Sequence, residues 1–237
     1  SFPTRRSSDL VLGGFESAAD VLKLLAPEQP VILASFDYPY SGDRKLQVTQ
    51  AIHEASRLKQ AIYNTQEGIQ ALVQALQARR DVDPQQIGIV GASFGSPFAL
   101  AAAANNSTLS RIILVHGFAD IEGTIRHRLK QIWENKLGFL AGAASWSASK
   151  IITGYLKPPR PEQQALRLRP SQRVLLIEAR EDHFIPQEAR ELLRKSLESS
   201  AAKVDYILMP GDHLMPGSNA KIAEIMKISS RWMGLRE

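Results

Sequence analysis

At 237 residues, with 44% hydrophobic and 22% charged residues of interspersed sign, the chain has the composition of a globular domain and not of a disordered one. Its formal net charge of +5 comes without a dense Lys or Arg run, which argues against a nucleic-acid partner. The absence of cysteine excludes disulfides, thiolate metal sites and a cysteine nucleophile, and no run of about 18 apolar residues reads as a membrane span.

Residues 1–10 have no hydrophobic period and resemble a translated sequencing adapter fused to a reading frame. They are set aside from fold reasoning as an artefact. On that reading the natural chain begins earlier, its leader is unreadable, and a cytoplasmic location is only a default. One domain is expected over residues 11–237.

Within it, 31–36 reads as a buried strand ending in the turn Asp37-Tyr38-Pro39-Tyr40-Ser41-Gly42. A long helix is expected from about 47 to 79, with apolar residues such as Ala61, Ile62, Ile69, Val73 and Leu76 at helical spacing. Asp81-Val82-Asp83-Pro84 stops it. Strands then alternate with helices: strand 87–90, helix 96–104, strand 111–115, strand 173–178, helix 187–197, strand 203–208 and helix 218–233. That order predicts an α/β class fold, a mostly parallel sheet with helices on both faces. The segment 120–169 breaks the rhythm and reads as a helical cap insertion. Its apolar residues Trp133, Phe139, Leu140, Trp146, Ile151, Ile152 and Tyr155 could wall a substrate pocket or serve ordinary helix packing.

Gly91-Ala92-Ser93-Phe94-Gly95 sits directly between a predicted strand and a predicted helix. Gly-x-Ser-x-Gly alone recurs by chance, but a strand-to-helix elbow strains the serine and lifts its hydroxyl above the sheet. Ser93 is therefore the candidate nucleophile, and the backbone N–H of Phe94 a candidate oxyanion donor. A serine hydroxyl needs a general base. Among five histidines, His213 follows the last strand and is the first choice. His183 also follows a strand and is the rival, His116 reads as a pocket wall or structural residue, and His53 and His127 read as surface residues. The acid that orients the base is expected at Asp182, with Glu181 and Asp120 as alternatives.

The order Ser, Asp, His resembles that of the α/β-hydrolase superfamily. Within it the chain resembles the dienelactone hydrolase, acetyl-esterase and prolyl-oligopeptidase-like branch. The resemblance maps the triad acid onto Asp182, in a loop of the form Asp-x-x-Ile-Pro, and the base onto His213, in a Gly-x-His loop. Gly13-Gly14-Phe15 takes the place of the oxyanion loop, which implies the backbone N–H of Phe15 as the second donor; Gly13 replaces the family's leading histidine. The reading starts after the family's first strands, as an N-terminally truncated fold. The implied activity is cleavage of a small-molecule carboxylic ester through an acyl-enzyme, without metal or organic cofactor. A thioesterase, lactonase or peptidase on the same triad is the alternative, and a non-catalytic binding protein the second. Oligomeric state is not readable.

Overall fold

The computed structural model describes residues 31–34, 51–214 and 218–235. Its centre is a sheet of four parallel strands in the order β1 (Ile87–Ala92), β2 (Leu109–Val115), β3 (Arg173–Ala179) and β4 (Lys203–Met209). Among the described residues seven α-helices accompany it: α1 (Ala51–Gln77), α2 (Ser96–Asn105), α3 (Ile121–Leu137), α4 (Ala141–Leu156), α5 (Pro161–Ala165), α6 (Gln187–Glu198) and α7 (Asn219–Met233). Helices cover both faces, as the alternation of strand and helix periods requires.

The two inner strands show why. Side chains alternate across a strand, and β2 and β3 are apolar on both faces. Ile112, Leu114, Val174 and Leu176 pack against α2 and α6 in one layer. Ile113, Val115, Leu175 and Ile177 pack against Ile222, Ile225 and Met226 of α7 in the other. Helix α2 is alanine-rich because it lies between the sheet and further helices; Leu100 and Ala103 are wholly buried. In α6, Ala189, Leu193 and Leu197 recur every four residues and form its single buried stripe.

At the amino-terminal edge of the sheet, Gln172 is fully buried. Its amide donates to Ala103 O at 2.8 Å and Leu109 O at 2.9 Å, and its carbonyl accepts from Arg169 N at 2.9 Å. One side chain thus joins the end of α2 to the entries of β2 and β3.

One expectation needs correction. Residues 31–34 do not form a strand: Ile32 is exposed, and β1 pairs only with β2 among the described residues. An apolar run needs a ladder partner to become a strand, and its composition does not supply one. Residues 35 and 36, and the turn at 37–42, lie outside the described residues. The segment 120–169 is mostly helical, and none of its seven apolar candidates lines the cleft that the described residues form beside it. Phe139 is 93% exposed, and Trp146, Ile151 and Tyr155 are exposed too. Ile152 packs with Ile62, Phe98 and Leu156.

Gln172→Ala is expected to cost about 2–4 kcal/mol, because it leaves buried carbonyls unpaired and opens a void. Urea unfolding measures this. A loss under about 0.5 kcal/mol would show that the amide is not a tie of the core.

Candidate active site

Each strand delivers one residue to the carboxyl edge of the sheet, where open parallel sheets place their ligand sites. Ser93 follows β1, His116 follows β2, Asp182 lies three residues past β3, and His213 four past β4. Ser93 has φ 47°, left-handed backbone that a residue with a Cβ adopts at a cost. A short 3₁₀ turn, Ser93–Gly95, leads straight into α2. The turn is tight enough that a Cβ on Gly91 would lie 2.7 Å from both the Ala99 Cβ and the Gly95 carbonyl oxygen, so only glycine fits. Ser96 Oγ donates to Gly91 O at 2.9 Å and closes the turn from inside.

Ser93 Oγ lies 2.9 Å from His213 Nε2. His213 Nδ1 lies 2.8 Å from Asp182 Oδ2. The other carboxylate oxygen of Asp182 accepts from Phe184 N at 3.0 Å and Ile185 N at 2.8 Å. Burial alone pushes the Asp182 carboxyl up, but hydrogen bonds from the His213 ring and Ile185 N–H outweigh it and hold it below its ordinary value. An ionised carboxylate only accepts, so the proton of neutral His213 sits on Nδ1 and Nε2 is free to accept from the Ser93 hydroxyl.

His213 is anchored on both sides along the chain. Before it, Asp212 Oδ1 accepts from His213 N at 2.6 Å and from His183 N at 2.9 Å. Those two backbone N–H groups take the Asp212 carboxyl down to about 2. After it, Leu214 N donates to His116 Nδ1 at 2.9 Å. His116 therefore carries its proton on Nε2, which is buried without a partner among the described residues. Burial first, and the nearby His213 second, lower the His116 imidazole to about 4. The ring of His213 is flanked by Phe184, stacked at 4.9 Å and 20°, and by His116, tilted at 5.1 Å. The Arg128 guanidinium of α3 lies 4.1 Å from the Phe184 ring centre.

The other candidates are engaged elsewhere. His183 is exposed and paired with Asp212 Oδ2 at 3.2 Å. Glu181 accepts from Gly211 N and ties the acid loop to the base loop. Asp120 caps α3 through Gly123 N at 2.9 Å. His127 contacts Gln131 on α3. The side chain of His53 and all of Phe15 lie outside the described residues. Phe94 lies in the first turn after β1, where amides lack an acceptor within their own helix; its ring packs edge-on against Phe98 at 5.6 Å. The bracket of Asp212 and His116 and the stack of Phe184 were not anticipated from sequence. The adjacency of Asp212 to His213, and of Phe184 to Asp182, was the only signal for them.

His116, Asp182 and His213 place ligating atoms within 4.8 Å of one another, close enough to hold a cation. The hydrogen-bond roles do not suit one. The His116 Nδ1 lone pair is taken by Leu214 N–H and its Nε2 is protonated, while His213 Nδ1 holds its proton toward Asp182. A cleft of about 420 Å³ lies instead between α3, α4 and the start of α6, lined by residues such as Asp120, Arg126, Lys130 and Glu188. Ser93, Asp182 and His213 are not among its walls.

The profile of the dienelactone hydrolase family matches residues 38–213. No curated protein matches the chain. Among solved structures, 2,6-dihydroxy-pseudo-oxynicotine hydrolase is similar at 16% identity and TM-score 0.50, over 71% of this chain and 45% of that one. A puromycin-hydrolysing peptidase of Mycobacterium tuberculosis is similar at 19% identity and TM-score 0.49, over 68% and 23%. Acetyl xylan esterase 1 of a Thermoanaerobacterium species is similar at 13% and TM-score 0.49, over 94% and 73%. The chain thus spans less than half the length of the first two. The fold is that of an α/β hydrolase.

Above pH 6.5, His116 is neutral in both folded and unfolded chains. Between pH 6.5 and about 4 only the unfolded chain takes up the proton, so stability falls as the pH drops through that window. The slope is at most about 1.4 kcal/mol per pH unit from this one group. His116→Gln, whose amide oxygen can still accept from Leu214 N–H, is expected to flatten that part of the curve. Urea midpoints at pH 7, 6 and 5 measure it; parallel curves for the two proteins would refute the assignment.

Proposed function

The chain belongs to the dienelactone hydrolase family, and from that membership we propose that it is a serine hydrolase acting on carboxylic esters with Ser93, His213 and Asp182 as its triad. The supporting observation is the unbroken hydrogen-bond chain from Ser93 Oγ through both nitrogens of His213 to a buried carboxylate. A binding protein has no use for a strained serine joined to an oriented imidazole.

In the proposed reaction, His213 Nε2 takes the Ser93 proton as Oγ adds to the ester carbonyl. The negative oxygen of the tetrahedral intermediate faces the Phe94 amide at the start of the helix. Phe15, from the segment matching the family's oxyanion loop, is assigned as the second donor on the sequence resemblance. His213 returns its proton to the departing alkoxide, leaving Ser93 esterified. A water then gives its proton to His213 and adds to the acyl carbon; Ser93 recovers that proton as the acid leaves. Asp182 stays ionised throughout and stabilises the imidazolium. The ester is preferred over other acyl groups on the family's ester chemistry, and the 121–156 helices form the proposed cap.

A fluorophosphonate probe is expected to label the wild type and not Ser93→Ala; equal labelling of both would remove Ser93 from its role. Asp182→Asn should lower turnover of a p-nitrophenyl ester by about 10³–10⁴-fold, since the base then loses its orientation. Glu181→Gln keeps an acceptor for Gly211 N–H and should stay within a few-fold. The reverse ranking would transfer the acid's role to Glu181. Parallel assays on a thioester, a lactone and an aminoacyl amide decide the acyl class, with the ester expected to turn over fastest.

A further inference from the structure

The hairpin of α3 and α4 carries two properties that the proposed reaction does not use. The first is charge. Residues 121–156, the hairpin itself, contain five Lys and Arg against two Glu, a formal surplus of +3 out of +5 for the entire chain. More than half of the surplus positive charge is therefore gathered on this one element. Every one of these five basic side chains is exposed except Arg128, which is partly buried against Phe184.

The second is apolar exposure. All residues from 134 to 140, the tip of the hairpin, are exposed. Phe139 at the tip is 93% exposed, beside exposed Leu137 and Leu140. Along α4, Ile151 is 72% exposed, and Trp146 and Tyr155 are exposed as well. Lys150 lies over the Trp146 ring at 4.8 Å. Large aromatic and aliphatic side chains interleaved with long basic ones are the pattern of a surface that rests at a membrane interface.

We propose that the α3–α4 hairpin docks on an anionic lipid surface, with Phe139 and Leu140 entering the headgroup boundary and the basic side chains facing lipid phosphates. The charge selects this occupant. A second copy of the chain would bring two hairpins of formal charge +3 together, which disfavours a dimer through this face. All seven residues of the tip, 134–140, are exposed, so Phe139 and Leu140 are available for insertion. No helix among the described residues is long and apolar enough to cross a membrane. Because α3 also supplies Arg128 above Phe184, the docked element lies next to the candidate active site.

Co-sedimentation of the full chain with vesicles of phosphatidylcholine, with and without phosphatidylglycerol, tests this directly. Binding is expected to the anionic vesicles alone, and to weaken sharply at high salt. A lysine near such a surface contributes about a fivefold factor in partitioning. Lys130→Glu with Lys136→Glu should therefore lower it by at least about 25-fold. Phe139→Ser with Leu140→Ser should lower it through lost insertion. Neither pair touches the candidate triad, so fluorophosphonate labelling and hydrolysis of a soluble short-chain ester should stay at the wild-type level, which also verifies folding. Equal binding to neutral vesicles, binding indifferent to either pair, or no binding would overturn the proposal. So would self-association in sedimentation that the serine pair abolishes.

Discussion

The imidazole of His213 is constrained at every edge, and the rest of the site is arranged around that constraint. Its Nδ1 faces Asp182, its Nε2 faces Ser93, one ring face meets Phe184 and the other side meets His116. A ring held this way has one tautomer and one orientation, and so one direction in which it can move a proton. The loop that carries it begins after β4, at the edge of the described sheet, and its described residues 210–214 have no regular structure to stiffen them. Asp212 and His116 supply that stiffness, by binding the backbone N–H groups of His213 and Leu214. The price is an N–H on His116 without a partner among the described residues, and two left-handed residues, Ser93 and His116, at neighbouring strand ends. Strain and unsatisfied polarity gathered at one sheet edge, above a core of fully buried Leu and Ile, is the distribution expected of a working site.

Much of the fold was legible because the sequence signals were local. The runs Arg173–Ala179 and Lys203–Met209 are bounded by turn residues, and α6 has a clean four-residue period, so their types and limits follow from pattern alone. The parallel sheet followed from their alternation. The apolar run at 31–34 looked the same in sequence, but a strand is defined by its partner. The helical nature of 121–156 was legible, whereas the outward placement of Phe139 and Ile151 was not. Hydrophobicity says what prefers burial and does not say what is available to cover it.

The three residues put forward from the sequence meet in one chain of contacts, Ser93 to His213 and His213 to Asp182, and each was found from its position after a strand. The residues that hold them are different in kind. His116 reaches Leu214 across 98 positions of sequence, and Arg128 reaches Phe184 from another helix. Such contacts exist only once the sheet order is set. Position after a strand identifies what can react; packing identifies what keeps it aimed.

The helical hairpin also concentrates charge: residues 121–156 hold +3 of the formal +5 of the chain. The account stands or falls on the chemistry at Ser93. The most direct measurement is acid quenching during turnover of an ester, followed by peptide mapping by mass spectrometry. The account predicts the acyl mass on the peptide containing Ser93, and an acyl group on any other residue, in an enzyme that still turns over, would contradict it.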